Sequence, residues 1–273
     1  MFSVSAVLSF PGVWRATENQ GTALPAPSDA SQESVRPKVL RLGDRAGGRA
    51  ALDAVLPDGG LPRGAVVELS SPHALGAVTS LALAACAAAQ REARFRSGDE
   101  RTLGAMCGFV DPWETLYAPA LARHAVDSTR LIVVRPPLGN LARVAVRMAE
   151  SKAFSVLSID LKGVPGACTP EGREQGHAQT VALERWSTVV RRLAIAIEHT
   201  DTTVLLLTDR LQHRAMPLPV ALRLEVDRAP IAEGSDSFDE APLQWLIHVA
   251  KDRLGRVSAS FRASASQPIA LSG

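Results

Sequence analysis

From residue 65 onward, short runs of β-branched and aliphatic residues alternate with segments of helical period, and nothing else in the chain restricts its fold so much. A strand, a helix and a second strand in succession require a crossover, so neighbouring strands run parallel and need apolar cover on both faces. Strands are expected over residues 65–69, 105–110, 131–134, 155–159, 204–207 and 221–227. Helices are expected over 75–94, near 117–124 and over 180–199. Another is expected where Leu141, Val144, Ala145 and Met148 recur at i, i+3, i+4 and i+7. In the last of these segments Trp186, Val189, Val190, Leu193 and Ile197 form the apolar stripe. Residues 161–179, rich in Gly, Pro and charge, read as a long loop. Over 221–227, Leu222, Leu224 and Val226 alternate with Arg223, Glu225 and Asp227, a half-exposed pattern that suits an antiparallel margin. Two final strands, 243–250 and 257–262, are expected to close as a hairpin through Asp252, Arg253, Leu254 and Gly255. The fold class is therefore α/β: a mostly parallel twisted sheet, helices on both faces, and an antiparallel C-terminal margin.

A chain of 273 residues, 46% of them hydrophobic, can bury one large core. Residues 18–37 hold almost no large apolar side chain and read as a linker, so the expected divisions are 1–38, a core domain 39–265, and a tail 266–273. Ahead of the linker, Phe2, Val7, Phe10 and Trp14 form an apolar cluster that needs cover, either from its own core or from another molecule. Cys86, Cys107 and Cys168 have no CxxC spacing and read as reduced thiols, and the scattered histidines give no metal site. A net charge of +2 neither requires nor excludes nucleic acid. No basic residue precedes the N-terminal apolar run, and Pro11 cuts it short, so no signal peptide is expected. The apolar stretch 74–89 falls short of the roughly twenty residues that span a bilayer. It reads as a buried helix of a cytoplasmic protein with no membrane role.

The turn after the first core strand is the natural phosphate cradle of such a sheet. A working phosphate loop reads G-x-x-x-x-G-K-[ST]: backbone N–H groups close on phosphate, the lysine neutralises charge and the hydroxyl holds magnesium. In residues 70–80, SSPHALGAVTS, Ser71 replaces the first glycine, Gly76 keeps the second, and Ala77 and Val78 stand for the lysine and the hydroxyl, with Thr79 following. Without that cation and that metal anchor, hydrolysis is not expected. The chain reads as no enzyme, with no cofactor and no catalytic residue.

Residues 52–90, with their Gly-Gly-Leu-Pro-x-Gly turn, resemble the RecA segment that enters and leaves its phosphate loop. CGFVDPWETLYAP, residues 107–119, resembles the RecA strand leading to the catalytic glutamate, with Trp113 where that glutamate belongs and Glu114 one residue out of place. VLSIDLKGV resembles the Walker B strand and keeps its acid as Asp160, read here as a strand-end turn or cap. VLLLTDR is similar to the strand entering RecA's second DNA-binding loop, followed by a shorter, Pro-containing stretch. LRLEVDR and WLIHVAKDRLGR resemble the last core strands, so the likeness covers residues 39–262. Within RecA relatives, GGLPRG, the degraded phosphate loop, LYAPAL and the D-x-x-R-L-x-V-V-R-P run at 127–136 resemble the ImuA family, sometimes labelled SulA-like.

That resemblance implies a RecA-like core and a non-catalytic accessory role in SOS-induced translesion synthesis and DNA-damage tolerance. The implied partners are RecA, an ImuB-type Y-family polymerase relative and an error-prone C-family DNA polymerase. Phe2, Val7, Phe10 and Trp14 are positioned like the RecA segment that docks on a neighbouring subunit. The alternatives are direct, weak single-stranded DNA binding through Arg173, Arg210, Arg214, Lys251 and Arg253, and a weakly ATP-binding RecA paralogue.

Overall fold

The computed structural model describes residues 39–43, 53, 56–74, 77–97, 104–165, 167–168, 181–228 and 245–253. The contacts divide the chain into two units, Met1–Val35 and Arg36–Gly273, and every described residue belongs to the second. Phe2, Val7, Phe10, Trp14, Gly76, Arg173, the expected strand 257–262 and the tail lie outside the described residues.

Among the described residues, the first strands are β1 (Val39–Leu40), β2 (Leu61–Pro62) and β3 (Ala65–Ser71), followed by helix α1 (Ala77–Ser97) and β4 (Cys107–Val110). Next come α2 (Ala118–Arg123), β5 (Leu131–Val134), α3 (Leu141–Glu150) and β6 (Val156–Asp160). Last are α4 (Trp186–Ile197), β7 (Thr203–Asp209), β8 (Leu222–Arg228) and β9 (Trp245–Asp252). β1 and β2 form a short antiparallel ladder, and the other seven strands make one sheet in the order β5-β4-β6-β7-β3-β8-β9. All pairs in that sheet are parallel except β8 with β9.

Right-handed crossovers decide which face each helix covers. Connections β3-α1-β4 and β4-α2-β5 move one way along the sheet, and β5-α3-β6 and β6-α4-β7 move the other. The helices therefore divide between the faces, and the core divides with them. α1 packs with Val67, Leu69, Cys107, Phe109, Leu205 and Leu207 on one side. On the other, α3 and α4 pack with Val66, Val110, Leu157, Ile159, Val204 and Leu206. The middle of α1 is buried all round, from Ala82 to Gln90, and its run of alanines lets it lie close to the sheet beneath Leu40, Leu42 and Leu61.

Several expectations need correction. β8 is not only marginal: it pairs parallel with β3 and antiparallel with β9. The helix expected from residue 180 begins at Trp186, because residues Leu183–Arg185 first make a tighter turn that buries Leu183. The buried stripe of α3 is Leu141, Ala145, Val146 and Ala149 rather than one through Val144 and Met148, which are only half-buried. β5 is the outer edge of the sheet, which leaves Ile132 and Val133 exposed.

The Gly-Gly-Leu-Pro-x-Gly motif is architectural. Gly59 and Gly64 sit at φ 72° and 63°, the left-handed region that glycine enters without penalty. Gly60 is required for space: a Cβ there would lie 2.6 Å from the Leu40 carbonyl oxygen, a backbone atom of the β1–β2 ladder that cannot swing aside. Arg63 then fixes the turn, donating to the Asp201 carbonyl at 2.8 Å and pairing with Glu92 on α1. Gly60→Ala is expected to cost about 1–3 kcal/mol, as overpacking does. Gly139→Ala, where nothing lies within 4 Å, should be near neutral in the same urea titration.

Candidate functional site

The loop that leaves β3 at Ser71 turns through Pro72–Ala74, where His73 and Ala74 hold φ of 57° and 52°. The chain thus makes a left-handed turn at His73 and Ala74, between the two positions where a phosphate loop carries glycine. Ala77 and Val78, which stand where the lysine and the hydroxyl belong, are 2% and 0% exposed and point into the core. Their apolar character follows from that packing. Thr79, one residue further along the first turn of α1, is half-buried and faces the strand ends instead.

Opposite Thr79, β6 ends in Asp160, 1% exposed, and Lys162 follows it, 4% exposed. The Lys162 ammonium donates to Asp160 Oδ2 and to Thr79 Oγ1, both at 2.8 Å. Asp160 Oδ1 also accepts the Lys162 backbone N–H at 2.9 Å, so the carboxylate caps its own turn and neutralises the cation that turn carries. The Thr115 hydroxyl lies 3.3 Å from Asp160 Oδ2. Asp111, fully buried at the end of β4, accepts the Thr115 N–H at 3.0 Å and the Leu116 N–H at 3.2 Å, with the Arg135 Nε 3.6 Å away. Between these elements opens a cleft of about 240 Å³ lined by Ala74, Thr79, Ser80, Thr115, Tyr117 and Lys162. Sequence reasoning missed Lys162. The available signal was a lysine two residues past the acid of VLSIDLKGV, in a turn that is otherwise apolar.

A phosphate loop ordinarily holds magnesium between its hydroxyl and the strand-end carboxylate. Thr79 and Asp160 have that donor chemistry, but the ammonium bonded to both fills the place between them. Magnesium requires oxygen ligands at about 2.0–2.1 Å in octahedral array and cannot share that place with a bound cation. These residues do not fit the metal. Among the described residues no cluster of three or more His, Cys, Asp or Glu could hold one.

Beside this site lies a second buried charge network. Glu68 on β3 is fully buried and accepts from the Thr208 hydroxyl at 2.8 Å and from the Arg214 guanidinium, with Arg223 Nε 3.8 Å from its second oxygen. Arg223 also pairs with Glu225 at 3.1 Å, and Arg210 with Asp227 at 2.9 Å. Two of the expected DNA-contact residues, Arg210 and Arg214, are therefore already ion-paired within the fold. Lys251 donates to the Leu218 carbonyl at 3.2 Å, and the Arg253 backbone N–H to the Ala221 carbonyl at 2.7 Å. Arg173, the fifth, lies outside the described residues.

The charged members of the run 127–136 are links between elements. Gln90, fully buried on α1, accepts the Asp127 N–H at 2.8 Å and donates to the Asp127 carbonyl at 3.1 Å, and Arg130 Nε donates to the Gly104 carbonyl at 2.8 Å. Asp127 caps the Ser128–Arg130 turn. The Thr129 hydroxyl, aided by the Thr129 amide and the Arg94 and Arg130 charges, holds its carboxyl below the usual range. Glu114 is exposed and left-handed at φ 56°, while the neighbouring Trp113 is half-buried.

Cys86 on α1 and Cys107 on β4 are buried against each other between the helix and the sheet. The hydrogen bond with the Cys107 thiol, then burial, push the Cys86 thiol well up. Since the folded state holds this proton more tightly, its contribution to stability is complete below the pKa of a free thiol, about 8.5, and is lost as the pH rises beyond it. Iodoacetamide at pH 8 is expected to leave Cys86 unmodified in the native protein and to label it once urea unfolds the chain, as peptide mass mapping would read.

Comparison with known proteins agrees with this architecture. The RecA N-terminal domain family matches residues 36–215. Among curated proteins, the chain is similar to Protein RecA of Acidothermus cellulolyticus, 32% identical over 180 residues that cover 61% of this chain and 48% of that one. It is similar to Protein RecA of Kineococcus radiotolerans, 31% identical over 180 residues covering 61% and 47%. It is also similar to Protein RecA of Salinispora tropica, 30% identical over 254 residues covering 82% and 66%. The chain spans about half the length of the first two of these relatives. No helix among the described residues is long and apolar enough to cross a membrane.

Proposed function

This chain belongs to the RecA N-terminal domain family, and on that premise we propose that it is a non-catalytic, ImuA-type accessory protein of SOS-induced translesion DNA synthesis. It works in the cytoplasm by contact with RecA, with an ImuB-type Y-family polymerase relative and with an error-prone C-family DNA polymerase. A fold does not carry a function by itself, so the reading rests on the site. The observation that carries it is the packing of Ala77 and Val78 into the core where a phosphate loop presents its lysine and hydroxyl. Transfer of a phosphoryl group depends on positioned cations, and neither position can supply or hold one. A RecA-like scaffold without that machinery acts by recognition. The ImuA assignment rests on the GGLPRG turn, LYAPAL and the run at 127–136.

Direct binding of single-stranded DNA draws less support, because Arg214 is already committed to the buried Glu68 and Arg210 to Asp227. A weakly ATP-binding paralogue draws less still, since Asp160 is already neutralised by Lys162.

The test is capture of purified RecA and ImuB by the intact chain and by a form lacking residues 1–37. The intact chain is expected to retain at least one of them, and the shortened form to lose it. Capture of neither by the intact chain contradicts the accessory role, and equal capture by both forms removes Phe2, Val7, Phe10 and Trp14 from the docking surface.

A further inference from the structure

We propose that the Lys162 ammonium is a tethered replacement for a divalent cation, so that Thr79 and Asp160 form a latent metal site that the chain itself keeps filled. The inference rests on the family membership but not on the accessory role, and it accounts for a feature that role leaves unexplained: two oppositely charged side chains buried at the mouth of an inactive loop.

The geometry supplies the argument. A lysine ammonium has three donors and one compact charge, and here two of the donors reach the helix hydroxyl and the strand-end carboxylate at 2.8 Å each. These are the group types that hold a metal in a working phosphate loop. Asp160 is 1% exposed, and a carboxylate so buried needs a counter-charge. Once the lysine of the loop has become Ala77, a divalent ion would be bound without its usual phosphate ligands, and its occupancy would depend on concentration. A lysine two residues along the chain is always present. Its backbone N–H bonds the same carboxylate at 2.9 Å, which fixes the turn from which the side chain reaches back. The ammonium also joins the first turn of α1 to the end of β6 across 83 residues, the mechanical link that metal and nucleotide would otherwise provide.

The inference is tested by titrating the full chain with Mn²⁺, followed by electron paramagnetic resonance. Wild-type protein is expected to show no saturable site. Lys162→Met, which keeps the unbranched stem, lacks the terminal Nζ and removes the charge, is expected to gain one, at least about tenfold tighter than any wild-type binding and displaced by Mg²⁺. Asp160→Asn added to Lys162→Met should abolish it. Saturable Mn²⁺ binding by the wild type that Mg²⁺ displaces would overturn the proposal whatever the variants do. So would a folded Lys162→Met that gains no site. If Lys162→Met is unfolded without metal, Mn²⁺ is expected to restore its circular dichroism, and failure to restore it counts against the proposal. None of these outcomes alters the capture of RecA or ImuB, so the two readings can fail separately.

Discussion

Asp160→Ala is expected to cost about 3–5 kcal/mol of folding stability, because it strands the Lys162 ammonium, 4% exposed, with no counter-charge. Part of the loss comes from the turn, since Asp160 Oδ1 also accepts the Lys162 backbone N–H. A double-mutant cycle separates the two contributions. Lys162→Met alone leaves the buried carboxylate with only neutral partners and should also be strongly destabilising. The combination of Asp160→Ala with Lys162→Met removes both charges and should be less destabilised than the sum of the single variants by at least about 1 kcal/mol. Urea midpoints for the four proteins measure the coupling. Simple additivity would mean that Asp160 and Lys162 do not stabilise each other in the folded chain.

Glu68→Ala should cost about as much, roughly 3–5 kcal/mol, for a related reason. Its carboxylate is fully buried in a central strand and neutralises Arg214, whose side chain is 11% exposed, while Arg223 keeps a second partner in Glu225. Arg214 would be the group left stranded. Glu68→Gln preserves an acceptor for Thr208 and Arg214 and should lose less, and Arg214→Met in the Glu68→Ala background should recover part of the loss. For a domain of this size each kcal/mol shifts the melting temperature by roughly 2–4 °C, so calorimetry resolves these differences. A Glu68→Ala protein as stable as wild type would show that the network is not a fold determinant.

The two networks also mark where the sequence could and could not be read. The sheet was legible because runs such as VVEL, VLSI and VLLL have no other stable use than strands covered on both faces, and the alanine-rich 74–89 stretch could only be a helix packed close to them. The antiparallel end was legible in the alternation of Leu222, Leu224 and Val226, although not the parallel partner on the other side of that strand, since alternation reports burial rather than strand direction. Absence was legible in the loop: Ala77 and Val78 announce that a lysine and a hydroxyl are missing.

The long-range ion pairs and hydrogen bonds around the site were not legible. Lys162 meets Thr79 across 83 residues, and Arg214 meets Glu68 across 146, and no local pattern marks such pairs. Arg214 looked like a solvent-facing cation because a charge in a loop is usually just that, and its partner Glu68 is buried in a strand beside the core residues Val66, Val67 and Leu69. The glycines of GGLPRG were visible as a motif, yet the reason for Gly60, a carbonyl from the ladder partner of its neighbouring strand, exists only once the chain has folded.

Equilibrium dialysis of the intact protein against ATP and Mg²⁺, with phosphate release followed in parallel, tests the central claim most directly. The account predicts no saturable nucleotide binding up to about 1 mM ATP and no hydrolysis above the buffer rate. Saturable micromolar binding accompanied by Mg²⁺-dependent phosphate release would contradict it, because the cleft between Thr79 and Asp160 would then be a working nucleotide site.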